Sequence, residues 1–69
     1  MSKIKITLNG EDFFCKAGES VSNLIENLKL DIRKIAVEKN YQIILQEQFA
    51  KEMIKENDKV EIVYFVGGG

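Results

Sequence analysis

The residues whose type and spacing suggest chemistry are the last three, Gly67, Gly68 and Gly69. They follow the mostly apolar residues 60–66 directly, with no polar segment between. Because glycine has no Cβ, a run of glycines can enter a channel too narrow for other residues. Together with Val66 the glycines span about 13 Å when extended. This pattern predicts a tail that carries a terminal group into another protein's active site, rather than a frayed end.

The reactive group at such a tail is the α-carboxylate of Gly69. An exposed α-carboxyl has a pKa of about 3.3–3.7, so it is ionised at neutral pH. A carboxylate is a poor electrophile and accepts a sulfur or amine nucleophile only after activation. Adenylation by ATP supplies that activation, since it forms a mixed anhydride with a good leaving group. We therefore expect a partner enzyme to modify Gly69.

Composition narrows the possible functions. The 69 residues contain no histidine and one cysteine, Cys15, which excludes the usual zinc ligand sets and Cys-His or Ser-His nucleophiles. The net charge of −1 argues against a nucleic-acid partner, and the interspersed charges argue against a membrane surface. A lone cysteine and the lack of a signal-like start favour a cytoplasmic protein. Cys15 alternates with Phe13 on an inward face, which predicts a structural thiol rather than a sulfur relay.

The first half of the chain predicts a hairpin and a helix. Lys3–Leu8 alternates apolar and polar residues, Asn9-Gly10 suits a tight turn, and Glu11–Lys16 forms the returning strand. Ser20 is a suitable N-cap for a helix of three turns or fewer. The apolar stripe of that helix consists of Val21, Leu24, Ile25 and Leu28.

The second half predicts three further strands. Residues 35–37 and 41–45 read as short strands, and residues 59–66 alternate again. Between them, residues 49–54 suggest a short helical turn that fills one end of the core, and residues 55–58 a polar turn. This order predicts an α+β fold of the β-grasp (ubiquitin-like) type: a mixed sheet of about five strands with one main helix packed on one face. We expect residues 1–66 to form this domain, with residues 67–69 as a flexible tail and the first and last strands parallel.

Some apolar side chains are predicted to face solvent. Val63 and Phe65 share a strand face with Lys59 and Glu61, which marks that face as outward and suggests docking to a partner. Phe14 is outward on the second strand and either extends this surface or covers the sheet. Tyr41 and Tyr64 are interpreted as packing residues.

The sequence resembles the ThiS family over essentially its whole length. The matching pieces are the Asn9-Gly10 turn, residues 17–21, residues 35–38 and residues 60–69. The resemblance implies a protein cosubstrate rather than an enzyme, with no cofactor or metal bound by the chain. An adenylating enzyme (ThiF-like, of the ubiquitin-activating type) would use ATP to activate Gly69. Sulfur from a cysteine desulfurase would then give a thiocarboxylate, which donates sulfur to the thiamine thiazole ring in thiazole synthase (ThiG-like). Val66, Gly67 and Gly68 would enter the partners' active sites.

The chain departs from the family pattern at two places. It has Asn40-Tyr41 where members often carry an Asn-Gly turn, and Leu45-Gln46 where they often carry Pro-Arg. Two alternatives share the expected fold. One is the small subunit of a molybdopterin synthase, which has the same Gly-Gly end but is usually longer. The other is a ubiquitin-like modifier or a passive interaction module.

Overall fold

A computed structural model describes residues 2–65 of the chain. Val66, Gly67, Gly68 and Gly69, which the sequence assigns to the end of the domain and the tail, lie outside the described residues. The described part contains strands β1 (Lys3–Leu8), β2 (Glu11–Lys16), β3 (Ile35–Lys39), β4 (Gln42–Ile44) and β5 (Lys59–Tyr64), helix α1 (Val21–Asn27), and single 3-10 turns at Ile32–Lys34 and Gln46–Gln48.

The strands form one mixed sheet in the order β2-β1-β5-β3-β4. The last strand, β5, lies in the centre, parallel to β1 and antiparallel to β3. Helix α1 buries its apolar side against one face of this sheet. The predicted β-grasp fold and the predicted parallel pairing of the first and last strands are therefore confirmed.

The turn between β1 and β2 has a second role beyond reversing the chain. Asn9 and Gly10 both have positive φ, 50° and 84°, as a tight two-residue hairpin turn requires. The Asn9 side chain also reaches β5, where its Oδ1 accepts from the Ile62 N–H at 2.8 Å and its Nδ2 donates to the Ile62 carbonyl at 3.2 Å. The carboxamide thus takes the place of a strand residue beside β5 at the point where β1 has ended.

Helix α1 starts where the sequence predicts. The Ser20 hydroxyl accepts from the Asn23 N–H at 3.2 Å, and the Asn23 side chain accepts from the Ser20 N–H at 3.0 Å. This reciprocal pair satisfies backbone groups that the first turn leaves free. The helix has only 7 residues and is too short to persist alone, so it depends on the burial of Val21, Leu24 and Ile25 against the sheet.

The core lies between α1 and the inner face of the sheet. Its largest fully buried side chain is Phe49. Cys15 belongs to this core, as its alternation with Phe13 predicts, whereas Phe13 is half-buried. The buried apolar members are Ile6, Cys15, Val21, Leu24, Ile25, Ile35, Val37, Ile44, Phe49, Ile54, Val60 and Ile62.

The helical turn predicted at residues 49–54 is placed too late in the chain. The turn is Gln46–Gln48, and Phe49 ends it. The following segment runs alongside the residues that precede α1: Val21 N–H donates to the Glu52 carbonyl at 2.8 Å, and Ile54 N–H donates to the Glu19 carbonyl at 2.9 Å. These long-range bonds satisfy the backbone without a helix, so Phe49 and Ile54 reach the core without helical spacing.

The polar turn predicted at residues 55–58 contains one buried carboxylate, Asp58. Its oxygens accept from the Lys55 N–H at 2.8 Å, from Asn40 Nδ2 at 3.0 Å and from Lys39 Nζ at 3.4 Å. Burial alone would raise the pKa of Asp58, but these hydrogen bonds and the charge of Lys39 outweigh it and hold the pKa below its usual range. Asp58 therefore ties the β3–β4 turn to the start of β5.

Candidate functional site

The base of the predicted tail is fixed by a backbone hydrogen bond. Just after β5 ends, the Phe65 N–H donates to the Lys34 carbonyl at 2.9 Å. Lys34 closes the 3-10 turn Ile32–Lys34, whose N-cap Asp31 accepts from the Arg33 N–H at 3.0 Å. The central strand and this turn together fix the position of the last described residue before Val66.

Val63 and Phe65 lie on the outer face of the sheet, away from α1, as predicted. Their exposed fractions are 59% and 64%. Val63 pairs with Ala36 of β3, and Ile43 of β4, 71% exposed, lines the same groove. An adjoining groove contains Ala36, Ile43, Leu45 and Phe65. We call the five residues Ala36, Ile43, Leu45, Val63 and Phe65 the outer patch.

Ala36, Ile43 and Leu45 are the members of the outer patch that the sequence does not identify. The strand that carries Ile43 has only three residues, and Ile43 and Ile44 are both apolar, so alternation cannot tell which one faces out. The register decides it, because Ile43 pairs with Glu38 and Ile44 pairs with the buried Val37. The outward position of Ile43 therefore depends on the pairing of two strands, which the alternation within one strand does not show.

Phe14 also faces outward and is 61% exposed, but the structure does not bring it to the outer patch. Phe14 of β2 pairs with Lys5 of β1. Two residues further along β1, Thr7 pairs with Lys59 of β5. Val63 is four residues beyond Lys59, so Phe14 and Val63 are about 20 Å apart along the strands and about 10 Å apart across them. Polar side chains of β1 and β5 lie between. Contact of Phe14 with a partner therefore stays a separate prediction.

The packing role predicted for Tyr41 is wrong, since its side chain is largely exposed. It sits in a turn with a positive φ of 70°, accepts from Lys59 Nζ at 2.8 Å, and has that nitrogen 4.7 Å from its ring centroid. These contacts with a cation at an exposed turn account for a bulky residue in a position that favours glycine.

The packing role predicted for Tyr64 is also wrong in large part. Tyr64 shares a groove on the helix side with Leu8, Leu28 and Ile62, yet 53% of it is exposed. Helix α1 ends at Asn27, and Leu28, which follows it, lines this groove without burying the Tyr64 side chain.

Cys15 is placed as a structural thiol. Burial is the main cause that raises the pKa of its thiol, with smaller contributions from the charges of Glu19, Asp58 and Glu56. A buried, protonated thiol is a weak nucleophile. Within residues 2–65 there is no group of three or more His, Cys, Asp or Glu side chains that could hold a metal ion. In the same range, every helix is too short or too polar to cross a membrane.

A five-stranded mixed sheet with one helix and a central last strand that leads into glycines defines a small ubiquitin-like β-grasp protein. The sequence profile of the ThiS family matches residues 6–69. The chain belongs to the ThiS family. This match covers the domain and the glycines together.

Relatives agree with the family assignment. The sulfur carrier protein ThiS of Bacillus subtilis is 34% identical over 93% of this chain and 98% of its own length. The crystal structure of ThiS from Geobacter metallireducens superposes with a TM-score of 0.83 at 30% identity, covering 96% of this chain and 100% of that one. A thiazole synthase of Paramagnetospirillum magneticum is 39% identical over 96% of this chain. The chain spans only 20% of that thiazole synthase.

Proposed function

We propose that this chain is a sulfur carrier of thiamine biosynthesis whose working atom is in the terminal carboxyl group of Gly69. The chain is a cosubstrate in this scheme: partner enzymes charge it, consume its sulfur and release it for another round. The observation that carries the proposal is the placement of β5. This central strand, paired on both sides, ends at Tyr64 beside an exposed apolar patch, and the sequence continues through Phe65 and Val66 into three glycines.

The chemistry proposed at Gly69 proceeds in two exchanges at one carbon. In the first, a carboxylate oxygen attacks the α-phosphorus of ATP, pyrophosphate leaves and an acyl adenylate forms. In the second, the terminal sulfur of a persulfide on a partner enzyme attacks the carbonyl carbon, a C–S bond forms, and the C–O bond to AMP breaks; a thiol reductant then cleaves the S–S bond, which leaves the thiocarboxylate on Gly69 and a disulfide on the partner. Neither exchange changes the oxidation state of the carbon. The folded chain contributes no acid or base, which fits the lack of histidine and the buried state of Cys15.

Partners supply the catalysis in this proposal. An adenylating enzyme of the ubiquitin-activating type binds ATP and activates Gly69, a cysteine desulfurase supplies sulfur, and thiazole synthase receives it. The thiazole synthase partner is supported by relatives of that name, which are about five times as long as this chain but contain a stretch that matches nearly all of it, 96%. A carrier domain and its acceptor enzyme within one polypeptide is an arrangement expected for two proteins that act together.

The deciding experiment is the intact mass of the chain after incubation with ATP, cysteine, a cysteine desulfurase, a thiol reductant and the adenylating enzyme. Replacement of one oxygen by sulfur, located at Gly69 by fragmentation, is the expected result. An unchanged mass with an enzyme proven active on another carrier would contradict the proposal. Covalent conjugates to lysines would instead favour a ubiquitin-like modifier, and sulfur transfer only to a molybdopterin synthase large subunit would favour that pathway.

Tail variants complete this test. Deletion of Gly69 shortens the tail by one residue, so the new terminal carboxylate stops short of the partner's active site. Gly68→Val adds bulk to a segment that must enter a narrow channel. Both should abolish charging while leaving the melting temperature unchanged. Ala50→Val adds the same kind of bulk at an exposed turn and should charge normally.

A further inference from the structure

Two carboxylates of the outer sheet face stand directly opposite each other next to the outer patch. Glu38 of β3 pairs with Glu61 of β5 in the sheet register. Side chains in such positions have Cβ atoms about 4.5–5.5 Å apart, and like charges placed this way destabilise a sheet. The fold therefore keeps an unfavourable pair, of which Glu61 is exposed and Glu38 is half-buried.

The charges of the described residues only partly offset this pair. Among residues 2–65, no ion pair within 4 Å includes Glu38 or Glu61; the lysines and arginine found in ion pairs are matched with other carboxylates. Lys59 lies on the same strand face two residues before Glu61, but its amine is held by the Tyr41 hydroxyl at 2.8 Å. The charge of Lys59 therefore acts on both carboxylates without forming an ion pair with either.

The acidic pair is also part of an apolar groove. Glu38 and Glu61 line the same depression as Ala36, Ile43 and Val63. Ile43 and Val63 are both more than half exposed, so the groove presents apolar surface with two negative charges on its rim. An occupant that fits this surface has an apolar side chain next to a positive one.

We propose that this groove receives an apolar side chain flanked by an arginine or lysine of the enzyme that activates Gly69. The inference rests on the proposed function and adds the chemistry of the partner surface. A cation between the two carboxylates removes their repulsion at the moment of binding, so the pair favours the complex over the free carrier. Arginine suits the place best, because its planar guanidinium can donate to two carboxylates at once. Continuity with Val63 and Phe65 puts the contact next to the base of the tail.

The test compares two double variants that change the net charge equally. Glu38→Gln with Glu61→Gln neutralises the acidic pair, and Glu26→Gln with Glu47→Gln neutralises two exposed carboxylates elsewhere. For each, the Kd for the adenylating enzyme is measured at low and high salt, together with KM and kcat for carrier-dependent pyrophosphate release. The first variant should raise Kd and KM about tenfold, with kcat unchanged and a weaker salt dependence. Its melting temperature should be equal to or above that of the parent chain, which separates lost contact from lost structure.

Three results would overturn the inference. The first is a parent-like Kd for the variant without the acidic pair, and the second is an equal loss in the control variant. The third is a variant without the acidic pair that binds thiazole synthase more weakly but binds the adenylating enzyme normally, which would assign the groove to the acceptor enzyme. If a competent adenylating enzyme releases no pyrophosphate in the presence of the parent chain, the proposed function fails as well. If the parent chain is activated and the variants behave like it, only the groove assignment fails.

Discussion

Asn9 offers the most direct test of how the fold holds its central strand. Replacing it with glycine keeps the positive φ of 50° without strain but removes both hydrogen bonds to Ile62. A protein hydrogen bond contributes about 1 kcal/mol net, so the loss should be about 2 kcal/mol of unfolding free energy. For a domain of this size that corresponds to a fall in melting temperature of roughly 8–16 °C.

The matched control for this substitution is Asn57→Gly. Asn57 also has a positive φ, 71°, but within residues 2–65 its side chain makes no hydrogen bond. Its replacement should change stability by less than about 0.5 kcal/mol. Urea denaturation followed by circular dichroism gives both free energies, and hydrogen exchange should show faster exchange of the Ile62 amide in the Asn9 variant alone. An Asn9→Gly protein as stable as the parent, or a loss of equal size at Asn57, would refute the assigned role.

Three further substitutions test other parts of the structure. Asp58→Asn should cost about 1–2 kcal/mol at neutral pH. Because the folded pKa of Asp58 is lowered, its stabilising effect is complete above about pH 4 and is lost as the pH falls further, so the difference in urea stability should shrink at pH 3; a constant difference would contradict this. Phe49→Ala removes a fully buried ring and should cost about 3–5 kcal/mol, enough to unfold much of so small a domain in a thermal melt; a small cost would show that Phe49 is not a core residue. Phe65→Ala should leave stability within about 0.5 kcal/mol but weaken binding of the adenylating enzyme about tenfold by calorimetry, and a large loss of stability would place Phe65 in the core.

The sequence predicts those parts of the fold that depend on neighbouring residues. The β1–β2 hairpin follows from alternation around Asn9-Gly10, and the start of α1 follows from the capping chemistry of Ser20. The sequence also predicts that Val63 and Phe65 face outward, because they alternate onto the same side of the predicted strand as the charged residues Lys59 and Glu61. In each case the physical cause lies within a few residues of the effect.

Features that depend on distant contacts were not predictable in this way. The Asn9 carboxamide bonds a residue 53 positions away. Asp58 is buried beside Lys39 and Asn40, which lie on another strand and its turn and donate hydrogen bonds to it. The sequence of residues 55–58 does not indicate these contacts. The outward position of Ile43 is set by its pairing with β3. The glycines and their chemistry were inferred from residue type and family resemblance, and they lie beyond the described residues.

The parallel pairing of β1 and β5 also determines how the domain responds to a pull. The start of β1 and the end of β5 point in opposite directions along the same axis, so tension between the two ends of the chain slides one strand past the other. Under that load the bonds from Thr7 N–H to the Asp58 carbonyl and from Asn9 N–H to the Val60 carbonyl, both 2.9 Å, are strained together instead of one after another. A strand hairpin pulled at its open end unzips bond by bond; this pair cannot. A load applied between the start of β1 and the chain beyond Phe65 is therefore shared by both of these bonds.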